Sequence, residues 1–303
     1  MCTCPHHEEL SKDPEIAAIE TRRRVVQALA GGGIALAAGP ALSGCTTNPV
    51  TGEKQLTGLI KGDQLNQMAA ASWQEQKKRL PQVQDPRYIS RLRTVGSRIR
   101  RTARGVGTNW DYAVFDDDQR NAFVLPGGRV GFYKGMMDFT DNESQIAAVM
   151  GHEVGHVAGR HAEERANQQM AGQLGLGGAA IAGSIFGGRG TPTQQQNTQA
   201  LVQALGMGFM LGVVLPFSRA HERQADLLGV NYMHRAGYDK NQAVRLWEKM
   251  AAASQGKQRD EFTSTHPNPE DRGRYIARYI QEQEALGSQG FQDRNVKDFD
   301  FQA

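Results

Sequence analysis

Two histidines four residues apart, with a glutamate beside the first, stand in residues 149–165, VMGHEVGHVAGRHAEER: His152, Glu153 and His156. On a helix this spacing puts both rings on one face, one turn apart. Two imidazoles so placed can reach one metal ion. Glu153 is offset by one residue, near such an ion but not aimed at it, where a carboxylate can take a proton from attacking water. Zinc lowers the pKa of water to roughly 7, so a weak base suffices at neutral pH. That chemistry is metal-assisted hydrolysis, the mechanics of the H-E-x-x-H motif. The plain alternative is two ordinary helix histidines.

Catalytic zinc typically takes three protein ligands. His161 is one candidate, because HEVGHVAGRHAEE nearly spells H-E-x-x-H-x-x-G-x-x-H. That pattern requires its third histidine at position 162, which is Ala162. On an unbroken helix His161 lies half a turn round from His152, so it reads as a surface residue or a neighbour of a ligand. The other candidate is a downstream acid. Glu222 and Asp226, in FSRAHERQADLLGVNYM, are four apart. Glu222 could bind the metal while Asp226 accepts the N–H of a ligating imidazole. From spacing alone the default is an acidic pair on a solvated helix among Arg219, Arg223 and Arg235.

The elements that must position these groups read as α+β, mainly α. Apolar residues recur at three and four over about 61–80 and about 86–102, the second with an arginine-rich opposite face. WDYAVFDD, NAFVLPGG and RVGFYKGM then read as a small sheet of about three strands separated by Asp- and Pro-Gly-rich turns. Asp141 suits the N-cap of the motif helix. A Gly- and Gln-rich stretch at about 171–215 holds two apolar runs, both near or below the roughly 18–20 residues a span needs. It reads as a helical hairpin inserted into the domain. Helices follow at about 218–236, 239–254 and 269–286, before a polar tail.

Residues 1–44 read as a leader. A polar segment ends in Arg22-Arg23-Arg24, and an apolar run follows, ending in Leu42-Ser43-Gly44-Cys45. The ending resembles the bacterial lipobox, which makes Cys45 the lipidated residue. TRRRVVQ resembles a twin-arginine signal, with general export the alternative. Cys2 and Cys4 fall inside the leader, so a processed chain keeps Cys45 alone and has no internal disulfide. Residues 45–60 read as a lipidated tether and 61–303 as the catalytic domain. The formal net charge of +3 is mild and argues against a nucleic-acid partner.

H-E-x-x-H followed by S-R-x-x-E-x-x-x-D resembles the HtpX, Oma and CAAX-type-I prenyl-protease family of gluzincin zinc peptidases, and within it the soluble periplasmic lipoprotein branch. The likeness runs through NPVTGEKQL at 48–56, NAFVLPGGRVGFYKGMM at 121–137, GHEVGHVAGRHAEE at 151–164, SRAHERQAD at 218–226, AGYDKNQAVRLWEKM at 236–250 and STHPNPEDR at 264–272. It implies a zincin-type fold and one zinc ion per chain. Its ligands would be His152, His156 and Glu222, with Glu153 as general base and Asp226 behind a ligating imidazole. His266 and Arg272 fit the family's H-P-x-x-x-x-R: His266 would face the zinc, as oxyanion stabiliser or as occupant of the open position in a latent state, and Arg272 would organise its loop. The strand at Val130, Gly131 and Phe132 would be the edge on which an extended substrate lies. The resemblance further implies unfolded or misfolded envelope proteins as substrates. It places the chain in the periplasm, near the outer-membrane assembly machinery. Thr46 after the lipidated Cys45 favours the inner face of the outer membrane. A chaperone that binds unfolded strands and rarely cuts is the rival reading; an intact Glu153 favours the enzyme.

Overall fold

The computed structural model describes residues 45–58, 60–107, 109–168, 217–254, 262, 266 and 269–299. The leader and the Gly- and Gln-rich insertion of the sequence analysis lie outside the described residues. The elements are β1 (Cys45–Thr47), β2 (Lys54–Leu56), α1 (Gly62–Arg79), α2 (Pro86–Arg100), β3 (Asp111–Phe115), β4 (Ala122–Leu125), β5 (Arg129–Tyr133), α3 (Lys134–Phe139), α4 (Glu143–Ala158), α5 (Arg219–Arg235), α6 (Asn241–Ser254) and α7 (Pro269–Ala285). Residues 161–168 are also helical. No helix among the described residues is long and apolar enough to cross a membrane.

The larger sheet has the order β3-β5-β4, with β5 parallel to β3 and antiparallel to β4. Successive residues of a strand face opposite sides, and here both sides are covered. Ala113, Phe115 and Leu125 pack with Ala69 and Trp73 of α1. Val114, Val124, Val130 and Phe132 join the main core with α2, α4 and α5. Gly131 makes room for the Phe123 ring, which a Cβ would meet at 2.3 Å.

Two expectations are corrected. First, Val130, Gly131 and Phe132 do not form an edge: β5 is the central strand, hydrogen-bonded on both sides. The parallel β3–β5 pair puts β5 inside, with β3 and β4 as the two outer strands among the described residues. Second, residues 45–57 are not an irregular tether. β1 and β2 pair antiparallel, and the hairpin docks on the end of α4, where Asn48 Nδ2 donates to the Ala158 carbonyl and Gln55 Nε2 to that of Gly159. Those carbonyls are among the four that a helix end leaves without partners. The polar tail is anchored, with Phe291, Val296 and Phe299 buried in the main core.

Candidate metal centre

α4 is the central helix. Its N-cap is Asn142, one residue after the expected Asp141; the Asn142 side chain accepts from the Gln145 N–H. Residues 145–156 are buried throughout, as befits a helix apolar nearly all round. α5 starts at the N-cap Ser218, whose side chain accepts from the His221 N–H. It is buried from His221 to Met233 except at the half-buried Arg223, so Glu222 and Asp226 do not belong to a solvated face. Gly151 lies against Gly229, and Gly155 against Ala225. As one number rises the other falls, so the two helices run antiparallel with small residues four apart on both. That close crossing sets His152 and His156 beside Glu222.

His152 Nε2 and His156 Nε2 are 3.0 Å apart. Glu222 lies 3.4 Å from each, through Oε2 to His152 and Oε1 to His156. His266 Nδ1 is 3.1 Å from His152 Nε2 and 3.0 Å from Glu222 Oε1. The ligand atoms of all four residues lie within 4.8 Å of one another, and all four are buried. Behind them, Asp226 Oδ1 and Arg272 Nη2 each lie 2.9 Å from His152 Nδ1. Asp226 is gripped by Arg272 (Nη2 to Oδ1 2.5 Å, Nε to Oδ2 2.8 Å) and accepts from the Tyr275 hydroxyl. Arg272 also reaches Glu222 Oε2 at 3.1 Å and stacks 3.3 Å over Trp247. Phe217 stacks on His156 at 4.0 Å.

Burial lowers His152 to about 4 and His156 well below the usual imidazole value, so both rings are neutral and can act as ligands. Burial alone would raise Glu222, but His266, His156 and Arg272 hold it well below the carboxylate range. Burial opposes a proton on His266; Glu222 and Glu153 outweigh it and raise the ring. Burial pushes Glu153 up to about 7.

The residues fit a cation. With its Nδ1 proton turned to Asp226, His152 presents a lone pair from Nε2, and a carboxylate oxygen faces it at 3.4 Å. The donor atoms of four residues converge on one point, and a cation there would hold them together. Two imidazoles and a carboxylate are a borderline donor set that suits zinc. Donors about 2.0–2.1 Å from one tetrahedral centre stand about 3.3 Å apart, close to the separations here.

His161 is not on the surface. It is fully buried, with Nδ1 2.9 Å from His156 Nδ1 and Nε2 2.7 Å from Gln224 Oε1. The half-turn argument assumed an unbroken helix, but α4 ends at Ala158 and Arg160 takes φ 54°, which turns the chain back. Gln224, Trp247, Phe217 and Tyr275 also surround the site, and no spacing in the sequence singled them out. A cavity of about 600 Å³ opens beside Glu153 and His156. It runs along residues 121–127, the outer side of β4, to the start of α1.

Two helices that carry H-E-x-x-H and a buried acid to one point make the site of a metal-dependent hydrolase. Residues 86–280 match peptidase family M48, and the chain belongs to that family. It is 32% identical over 194 residues to the "Beta-barrel assembly-enhancing protease" of Escherichia coli (strain K12), covering 63% of this chain and 39% of that protein. It is 34% identical over 174 residues to the "Mitochondrial metalloendopeptidase OMA1" of Schizosaccharomyces pombe, covering 57% of this chain and 47% of the relative. The corresponding protein of Arabidopsis thaliana is 28% identical over 236 residues, 78% of this chain and 44% of the relative. The chain thus spans less than half the length of these relatives.

Proposed function

We propose that this chain is a zinc-dependent endopeptidase of the bacterial envelope, lipid-anchored at Cys45 to the periplasmic face of the outer membrane, which cleaves misfolded or stalled envelope proteins. The observation that carries the activity is the convergence of His152, His156 and Glu222 beside a buried general base. The envelope setting is supported by the lipobox-like leader and by the name of the Escherichia coli relative, a β-barrel assembly-enhancing protease.

Zinc held by His152, His156 and Glu222 would supply a Lewis acid for the peptide carbonyl and acidify the attacking water to a pKa of roughly 7. Glu153 Oε1 is buried and makes no hydrogen bond among the described residues, with His266 Nε2 3.3 Å away. It takes the proton from the water and returns it to the leaving amine. A carboxyl raised to about 7 can do both at neutral pH. Asp226 and Arg272 hold His152 in the tautomer that faces the ion. The outer side of β4 borders the cavity and is the edge to which an extended substrate adds as a strand. Such pairing reads backbone more than side chain, which suits loose sequence preference. His266 stands as a fourth donor and closes the site in a latent state.

The test pairs zinc content with casein cleavage for the parent chain and Glu153→Gln. The reading holds if the parent binds about one zinc and cuts while the variant binds zinc and does not. A parent without zinc sinks it.

A further inference from the structure

A chain of hydrogen bonds leads from the β1–β2 hairpin to the metal site. Glu53, in the turn of the hairpin, accepts from Gln224 Nε2. Gln224 Oε1 lies 2.7 Å from His161 Nε2, and His161 Nδ1 lies 2.9 Å from His156 Nδ1. Gln224, His161 and His156 are buried, and Glu53 is half-buried.

The group at the outer end of this chain favours one direction. A carboxylate can only accept, so it claims the amide NH₂ of Gln224. The amide oxygen must then face His161. A neutral imidazole has one N–H and one lone pair. His161 therefore donates from Nε2 to Gln224, which leaves its Nδ1 as an acceptor. His156 in turn donates from Nδ1, and its Nε2 lone pair is free toward Glu222 and His152. If Gln224 were turned over, every step would reverse and the His156 proton would sit on Nε2, where the metal must bind. Glu53, acceptor-only at the outer end, favours the first arrangement, whereas Glu222, 3.4 Å from His156 Nε2, favours the second until a cation takes that position.

We propose that Glu53, Gln224 and His161 are positioning residues that set the tautomer of His156, so that docking of the N-terminal hairpin completes the metal site. This rests on His156 being a ligand. Partners behind a ligating histidine typically contribute 10- to 100-fold in metal affinity. Glu53 reaches the site from the segment that directly follows Cys45, so undocking the hairpin would weaken metal binding without touching a ligand.

The experiment uses Glu53→Gln, which keeps size and shape but can present either a donor or an acceptor, together with Gln224→Leu and the double variant. Zinc affinity is measured by competition with a chromogenic chelator. Tautomers of the metal-free protein are read from ¹⁵N histidine spectra. The relay predicts His156 protonated at Nδ1 in the parent and a mixture in Glu53→Gln. It also predicts zinc affinity about 10-fold weaker in each single variant. The double variant should be no weaker than Gln224→Leu alone, since both act through one path, whereas independent structural damage would add. An unchanged tautomer with zinc affinity within about twofold of the parent overturns the relay. Zinc binding by the parent separates that result from failure of the metal reading itself, and the tautomer measurement needs no metal. Should Gln224→Leu not fold, the Glu53→Gln tautomer alone decides.

Discussion

Gly155 and Ala225 meet so closely that a Cβ on Gly155 would come within 2.6 Å of the Ala225 carbonyl oxygen and 2.9 Å of its Cα. Those atoms are helix backbone and cannot swing aside. In Gly155→Ala, helix propensity would contribute about 1 kcal/mol of stabilisation, while overpacking costs about 1–3 kcal/mol. The clash wins because the neighbouring Gly151–Gly229 contact is also tight and leaves the helices nowhere to shift. Gly155→Ala should unfold at lower denaturant concentration than the parent and bind zinc more weakly, as α5 carries Glu222 away. A raised unfolding midpoint would show that the helices do not touch here.

Asp226 is buried and accepts from Arg272, Tyr275 and His152 together. Asp226→Asn keeps the shape but removes the charge that balances Arg272 and lets the amide NH₂ face His152 Nδ1. Zinc affinity should fall about 10- to 100-fold. Breaking one side of a buried ion pair costs about 3–5 kcal/mol; Glu222 still offsets Arg272 at 3.1 Å, so the lower end is expected. Chelator competition and chemical denaturation check the two effects separately.

The helices were legible because capping and periodicity are local. Residues 86–102 were expected and Pro86–Arg100 observed; 218–236 expected and Arg219–Arg235 observed. The motif itself located His152, Glu153 and His156, and likeness to a known family, not spacing, picked Glu222. What escaped depends on distant partners. β5 is central only because β3 pairs with it in parallel, and no short-range signal reports that order. The hairpin at 45–57 is held by carbonyls more than 100 residues away. Of the two readings of His161, the surface one fell at a backbone angle, since Arg160 at φ 54° ends the periodicity on which it stood, while the neighbour of a ligand holds. Spacing alone left the acidic pair on a solvated face by default, because the burial of Glu222 and Asp226 is a property of packing, not of the pair.

His266 lies with its Nδ1 among the three other donors and its Nε2 3.3 Å from Glu153 Oε1. Four protein donors leave no open position, whereas catalysis needs one. His266→Ala should therefore bind zinc less tightly yet cleave casein faster than the parent. Slower cleavage at unchanged KM would instead give His266 the oxyanion-stabilising role. Steady-state kinetics at saturating zinc separates the two.

Asp111 joins the sheet to α1, with one oxygen accepting from Trp73 Nε1 at 2.6 Å and from Lys77 Nζ at 2.7 Å. Partial burial pushes its carboxyl up, but the Lys77 ammonium and the Trp73 N–H outweigh that and leave it below the ordinary value. An acid whose folded pKa is depressed contributes stability that is fully present above its unfolded value, about 3.9 for aspartate. That stability is lost as pH falls through the lower folded value. The group is half-exposed, so the effect is small and screened by salt. Asp111→Asn removes this titration. The variant should be less stable than the parent at pH 7, and the difference should shrink as pH drops below about 4. Parallel urea titrations across that range, at low and high salt, check it; a difference independent of pH would mean that Asp111 acts through shape rather than charge.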